Sequence, residues 1–207
     1  MISKSLKVNS RNIVIDLILG DITAVKADAI VNAAHEALLG GGGVDGAIHK
    51  AAGPFLLREC REMPADKNGV RCPTGEARIT GAYNLIANHV IHTVAPKFIG
   101  GIIRREVNGK LEPIFKNAHP ERDIEMANCY KNCIKLADDN KLKSIAFPSL
   151  GTGGHAYPIE VACLIAINST LEYLYNNAAT NIEKVTFVCF SQVDYDYYEK
   201  TMNQIIG

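Results

Sequence analysis

The chain has no tryptophan and no excess of charge of either sign: 22 basic residues balance 22 acidic ones, for a formal net charge of +0. That balance argues against a broad electrostatic footprint for nucleic acid, though not against a local anion site built from oriented backbone amides. No apolar run reaches transmembrane length, and the first ten residues, MISKSLKVNS, lack the apolar core of a signal peptide. No membrane association is expected; the expected location is cytoplasmic, with nuclear access open. Cysteine is sparse and scattered (Cys60, Cys72, Cys129, Cys133, Cys163, Cys189), several in apolar stretches, as reduced, buried thiols are. Two catalytic signatures are also missing. Without G-x-x-x-x-G-K-[ST] an ATPase or GTPase reading fails, and without G-x-S-x-G a serine hydrolase lacks its nucleophile elbow. Metal binding is not expected. Cys129 and Cys133 stand four apart on a predicted helix with no pair to complete a tetrahedral set, and His89 and His92 point to opposite faces of a strand.

There is no internal repeat, low-complexity tract or linker, so residues 1–207 read as one domain, a size a single core commonly reaches. Apolar runs at Asn12–Leu19, Asp28–Val31, Glu76–Thr80, His89–Val94, Ser144–Ser149 and Lys184–Phe190 read as strands. Helices are expected over Val44–Gly53, Pro54–Cys60, Asp123–Asp138 and Ile159–Tyr175, and from about Asp194. Strand–helix alternation in the second half implies a mainly parallel sheet covered on both faces. Lys97–Arg122 fits neither pattern. Within it Asn108-Gly109 signals a type I′ hairpin turn, so the segment reads as an exposed insertion.

What the sequence does have is glycine in two telling places. Gly40 to Gly43 run consecutively between a strand and an amphipathic helix carrying Asp45 and His49. Such a run gives up packing and costs backbone entropy, so bare backbone is needed there. Glycines entering a helix leave N–H groups free to face an anion, which the helix dipole also favours. The second place, SLGTGGHAYP from Ser149 to Pro158, again joins a strand end to a helix. Ligands of open α/β sheets bind at that edge, so two loops there can grip two phosphates of one ligand. Gly41, Gly43 and Gly46 formally match G-x-G-x-x-G, but the acidic residue near the dinucleotide spacing, Asp66, falls in a loop. A nicotinamide-dependent enzyme is therefore disfavoured.

The polar residues beside the loops each have two readings. Asp45 in the first helical turn either complements the dipole, worth roughly 0.3–1 kcal/mol, or orients a water or ribose hydroxyl. His49, four residues on, shares its face and can hydrogen-bond to it. Asp21 either closes an Asx-turn or accepts from an adenine amino group. Asn32 staples a loop or meets a sugar, and Phe190 belongs to the core or stacks on a base.

These residues resemble the macrodomain family, specifically its MacroD-type class, which binds ADP-ribose and removes it from modified acceptors. The resemblance rests on GDITAVKADAIVNAA (Gly20–Ala34), GGGGVDGAIHKAAG (Gly40–Gly53), CPTGEARIT (Cys72–Thr80), VIHTVAP (Val90–Pro96), the SLGTGGHAYP loop and KVTFVCFSQVDYDYY (Lys184–Tyr198). It covers most of the chain apart from the first few residues and the insertion at 97–122. It implies a three-layer α/β/α sandwich with a central mixed, mainly parallel sheet. It also implies that Asp21 and Ile22 hold adenine, that Phe190 packs by the adenosine, and that Asn32 faces the distal ribose. Gly41, Gly42, Gly43 and Val44 on one side, and Ser149, Gly151, Thr152, Gly153, Gly154 and His155 on the other, would bracket the diphosphate. Asp45 would serve hydrolysis with support from His49. The chain departs from the family where a second Asn is usual: His35 stands there, and an imidazole offers less than an amide. The second loop lacks the usual large apolar residue as well, so His155 would cover the site differently. Two readings follow: a hydrolase releasing ADP-ribose from acidic side chains or deacetylating O-acetyl-ADP-ribose, or a catalytically silent ADP-ribose reader. Asp45 and the intact glycine block favour the hydrolase and His35 the reader; neither needs a cofactor, and a monomer suffices for either.

Overall fold

The computed structural model describes the chain except for residues 9, 10, 108 and 109. In chain order the elements are strands β1 (Ile2–Val8), β2 (Arg11–Leu19) and β3 (Ala29–Ala33), helices α1 (Gly43–Ala52) and α2 (Pro54–Glu62), strands β4 (Ala77–Gly81), β5 (His89–Thr93), β6 (Gly100–Val107) and β7 (Lys110–Asn117), helix α3 (Glu121–Asp139), strand β8 (Ser144–Pro148), helix α4 (Ile159–Asn176), strand β9 (Lys184–Cys189) and helix α5 (Gln192–Ile205). Seven strands form one sheet in the order β1-β2-β9-β8-β3-β5-β4. The four inner pairings are parallel and the two outer ones, β1 with β2 and β4 with β5, antiparallel.

Alternation along the strands sorts side chains into two cores, as a period of two requires. Ala29 and Val31 of β3, Ile145 and Phe147 of β8, and Val185 and Phe187 of β9 pack against α3, α4 and α5. Ile30, Ala146, Val188 and Val90 face the other way, against Ile48 of α1 and Leu56 and Cys60 of α2. Burying a side chain such as Ile48 or Leu56, neither of which is exposed at all, contributes about 1.5–3 kcal/mol. The result is the expected three-layer α/β/α sandwich. In α3, Met126, Cys129, Tyr130, Cys133, Ile134 and Ala137 recur at helical spacing and are all buried. The Cys129–Cys133 pair is therefore core packing, and burial pushes the Cys129 thiol up to about 11. All six cysteines are free and buried.

The structure departs from the sequence expectations in two places, strand β1 and the starts of two helices. Strand β1 has no counterpart among those expectations, because its polar, lysine- and serine-bearing residues carry too weak an apolar signal. Its alternate residues Leu6 and Val8 are buried, and it pairs with β2 in the register Ile2↔Leu17 to Val8↔Arg11. Within the insertion, β6 and β7 pair with each other as a separate two-stranded sheet among the described residues. The Asn108-Gly109 turn lies outside the described residues. The base of this hairpin is anchored: Phe98 N–H donates to the His155 carbonyl at 2.9 Å, and Asn117 Nδ2 donates to Asp123 Oδ1 at 3.0 Å. Helices α3 and α5 each begin two residues before their expected starts, α5 because Ser191 Oγ accepts from Asp194 N–H as its cap.

Candidate functional site

Every parallel strand directs its carboxyl end to one edge of the sheet, and both glycine loops lie there. At α1 the cap is Gly42, whose lack of a side chain leaves the helix N-terminus without a side-chain cap. The first-turn amides are thus left for an outside partner. The glycines have distinct reasons. Gly40 and Gly43 hold φ of 80° and 58°, a region other residues rarely enter. Gly41 and Gly46 are set by space instead. A Cβ on Gly41 would stand 2.9 Å from Asp45 Oδ2, and one on Gly46 would stand 2.6 Å from the Gly41 carbonyl oxygen.

Two cavities meet at this loop. The first, about 430 Å³, is lined by Gly20, Asp21 and Ile22, by Gly43 and Val44, by Ser149, Thr152 and Gly153, and by Phe190 and Asp194. The second, about 500 Å³, is lined by His35, by Gly40 to Asp45, and by Ser149, Gly151, Gly153, Gly154 and His155. Gly43, Val44, Ser149 and Gly153 belong to both, so the glycine loops form a waist between two lobes. Ser149 Oγ is buried there without a partner.

The first lobe gathers Asp21, Ile22 and Phe190. Asp21 caps a short 3-10 turn, its Oδ1 accepting from Thr23 N–H at 2.9 Å and Thr23 Oγ1 at 2.8 Å. The Asx-turn and the lining role thus coexist. Phe190 is 85% exposed, which removes the core reading: it is a flat aromatic surface on the lobe wall. Sequence reasoning missed Asp194; the signal was Ser191, whose capping of α5 turns the first-turn Asp194 toward this lobe.

The second lobe contains Asp45, only 4% exposed. Asn32 Nδ2 donates to Asp45 Oδ1 at 2.7 Å. His49 Nε2 lies 3.4 Å from the same oxygen, too poorly directed for a hydrogen bond, and is left without a partner. Asn32 itself is fully buried, standing behind Asp45 rather than on the cavity wall. His35 is exposed on the rim, and its Nδ1 accepts from Ala37 N–H at 3.2 Å. One ring nitrogen remains for a ligand, where an amide would offer both an acceptor and donors. Asp66 is remote from all this: its Oδ1 accepts from Asn68 N–H and Val70 N–H in an exposed loop, and the Val70 bond leads in holding its pKa below the usual range.

Behind Asn32 lies a layer the sequence did not reveal. His92 Nδ1 is 3.1 Å from Asn32 Nδ2, and His92 Nε2 is 3.0 Å from Thr80 Oγ1 and 3.8 Å from Cys60 Sγ. Burial first, then the neighbouring His49, pulls the His92 imidazole down to about 3, so it is neutral at pH 7. His49, Cys60 and His92 bring their donor atoms within 4.8 Å of one another, a spacing compatible with a metal-binding trio and one that their positions in the sequence do not show. Both nitrogens of His92 are already hydrogen-bonded, and burial holds the Cys60 thiol up at about 11. His92 is thus held by Asn32 and Thr80, and the Cys60 sulfur stays a thiol. No helix among the described residues is long and apolar enough to cross a membrane.

A family model described as Macro domain matches residues 31–166. Among curated proteins, the chain is 47% identical over 191 residues to the macro domain-containing protein CT2219 of Chlorobaculum tepidum, covering 92% of this chain and 96% of that protein. It is 45% identical over 193 residues to human ADP-ribose glycohydrolase MACROD2, covering 93% of this chain but only 40% of the human protein's length. Among solved structures, the Oceanobacillus iheyensis macrodomain with ADP superposes with a TM-score of 0.81 at 39% identity, over 99% of this chain and 97% of that one. The Trypanosoma brucei macrodomain in complex with ADP-ribose gives 0.72 at 38%, over 90% and 68%.

Proposed function

The chain belongs to the Macro domain family, and from that premise we propose that it is an ADP-ribose hydrolase, removing mono-ADP-ribose from acidic side chains or deacetylating O-acetyl-ADP-ribose. The observation that carries this reading is the placement of a buried carboxylate, Asp45, beside a waist of bare amides between two lobes. A dinucleotide-shaped ligand with a central diphosphate fits that plan. Adenine lies in the first lobe, against Phe190 with Asp21 at its edge. The diphosphate sits at the waist, between Gly41–Val44 and Gly151–His155, on amides that need not reorganise as charge develops. The distal ribose enters the second lobe, near Asp45. The curated and structural relatives named for ADP-ribose support this choice.

Hydrolysis then requires a water poised between Asp45 and a substrate phosphate. Asp45 orients it and takes up its proton as the oxygen attacks the acyl carbon. The bond from that carbon to the C1″ oxygen breaks, the proton passes to the departing ribose oxygen, and the products are ADP-ribose and a carboxylic acid. Asn32, donating to Asp45 Oδ1, fixes which carboxylate oxygen is free for this work. His49 stands close enough to Asp45 Oδ1 to support its charge. No redox step or metal enters this scheme. We further take residues 1–207 as a single macrodomain with an insertion at 97–122, acting as a cytoplasmic monomer on ADP-ribosylated protein.

One observation favours a silent reader instead: His35 has a single ring nitrogen to spare on the rim of the second lobe. Release of ADP-ribose from a protein mono-ADP-ribosylated on Glu, compared between wild type and His35→Asn, separates the two. Turnover by wild type supports the hydrolase. Binding without release, with turnover gained in His35→Asn, makes the natural protein a reader. A chain that does not bind ADP-ribose in calorimetry sinks both.

A further inference from the structure

Asn32 and His92 are directly paired residues of the adjacent parallel strands β3 and β5. Both point to the α1/α2 side of the sheet, and β4 brings Thr80 to the far side of the His92 ring. A row of polar side chains thus runs through an otherwise apolar layer, from Asp45 at the site to the sheet's outer strand. Three of its members, Asn32, His92 and Thr80, are at most 2% exposed.

The hydrogens in this row can be placed by counting. Asn32 Nδ2 has two: one goes to Asp45 Oδ1 at 2.7 Å, and the other points at His92 Nδ1, 3.1 Å away. His92 Nδ1 must therefore be the bare, accepting nitrogen. With the ring neutral, its one hydrogen sits on Nε2 and is donated to Thr80 Oγ1 at 3.0 Å. Thr80 passes its own hydroxyl hydrogen to the Val90 carbonyl at 3.4 Å. Donation therefore runs outward from the Asn32 amide in both directions, to the Asp45 carboxylate on one side and through His92 and Thr80 to the Val90 carbonyl on the other. Asn32 Oδ1, in contrast, is buried with no partner, so nothing holds the amide by its oxygen.

We infer that His92 is a positioning residue of the hydrolytic site: its bare Nδ1 sets the orientation of the Asn32 amide, and through it the Asp45 carboxylate. The opposite tautomer would present N–H to N–H. It would favour a flipped Asn32, whose oxygen would then face Asp45 Oδ1, oxygen against oxygen. Thr80 acts one step further back by anchoring the hydrogen on Nε2. The other groups facing the ring are His49, with its centroid 6.3 Å away, and the Cys60 thiol, and neither offers Nδ1 a competing donor at hydrogen-bond distance. This inference rests on the hydrolase reading for its consequence but not for its geometry.

The test has two arms. In the first, ADP-ribose affinity and single-turnover ester hydrolysis are measured for wild type, His92→Leu, His92→Gln and Thr80→Val. The expected result is at least a thirtyfold loss of turnover in His92→Leu with the dissociation constant within threefold, and partial recovery in His92→Gln, which again offers an acceptor and a donor. Thr80→Val keeps its shape and is expected to lose three- to tenfold; it stands in if His92→Leu does not fold. In the second arm, long-range proton–nitrogen correlation spectra at pH 7 are expected to show His92 as the Nε2–H tautomer. Folded His92→Leu with wild-type turnover overturns the proposal, as does an Nδ1–H tautomer. Should wild type bind ADP-ribose without hydrolysing ester, the hydrolase reading fails, while the tautomer still decides whether His92 orients Asn32.

Discussion

Gly46→Ala sets two magnitudes against each other at one position. Gly46 is inside α1, where alanine is intrinsically better than glycine by about 0.8–1.0 kcal/mol. On that ground alone the substitution stabilises. Its methyl, however, would stand 2.6 Å from the Gly41 carbonyl oxygen, a backbone atom that cannot rotate away. Overpacking of this kind costs typically about 1–3 kcal/mol. The net effect on stability is a loss of roughly 0–2 kcal/mol, hence a fall in Tm of at most about 8 °C for a chain of this size. The function suffers more, because relief comes from moving the Gly41 loop, whose amides are assigned to the diphosphate. Misaligning one hydrogen bond to a charged group loses about 1.5–3 kcal/mol, or roughly 10- to 150-fold in ADP-ribose affinity. Gly42→Ala is the control for stability, since a Cβ there meets nothing within 4 Å and φ is an ordinary −98°. Its melting temperature should match wild type. Calorimetry with ADP-ribose and thermal melts read both quantities. A Gly46→Ala protein that binds within twofold of wild type and melts unchanged would refute the claim that the loop is closely fitted against α1.

Other outcomes follow from the same geometry. Phe190→Ala removes a largely exposed ring, so its urea midpoint should not move, while loss of base stacking weakens ADP-ribose binding by about 1–3 kcal/mol, roughly 5- to 150-fold. The His92 pKa lies below its unfolded value of about 6.5, so the unfolded chain takes up the proton first and stability falls as pH drops below about 6.5. Between pH 6.5 and 5, above the carboxylate range, this contributes a loss of at most about 2 kcal/mol, and urea midpoints for wild type against His92→Gln should show that difference. The six buried thiols, including Cys60 and Cys72 held up at about 11 and 12 by burial, should resist a disulfide reagent at pH 8 and all react once the chain is unfolded in guanidinium.

The parts of this molecule written locally were open to reading from the sequence. The glycine run and the Gly151–Gly154 loop announce themselves because bare backbone is a local choice, and both flank strands and helices with clear apolar periods. The apolar run Val185–Cys189 and the helical spacing in α3 likewise needed no partner to be seen. What escaped depends on pairing across the sheet. Strand β1 is short, lysine-bearing and half exposed, so only its ladder with β2 makes it a strand. His92 sits in VIHTVAP with no local mark of its role. Its position opposite Asn32 is set by strand register sixty residues away, and that of Cys60 by the packing of α2. Phe190 was ambiguous for a related reason. A terminal aromatic one residue past β9 is core or surface according to where the strand stops, and here it stops at Cys189.

In the proposed mechanism Asp45 turns an ADP-ribose site into a hydrolytic one. The direct measurement is ADP-ribose release from a Glu-linked mono-ADP-ribosylated protein by wild type and Asp45→Ala, with the dissociation constant for ADP-ribose determined on both. Wild type should release ADP-ribose and Asp45→Ala should fall by about 10²–10⁴-fold, the range for losing a positioned acid or base, with affinity changed by less than about tenfold. Equal release by the two proteins, or none by a wild type that binds ADP-ribose, would contradict that mechanism.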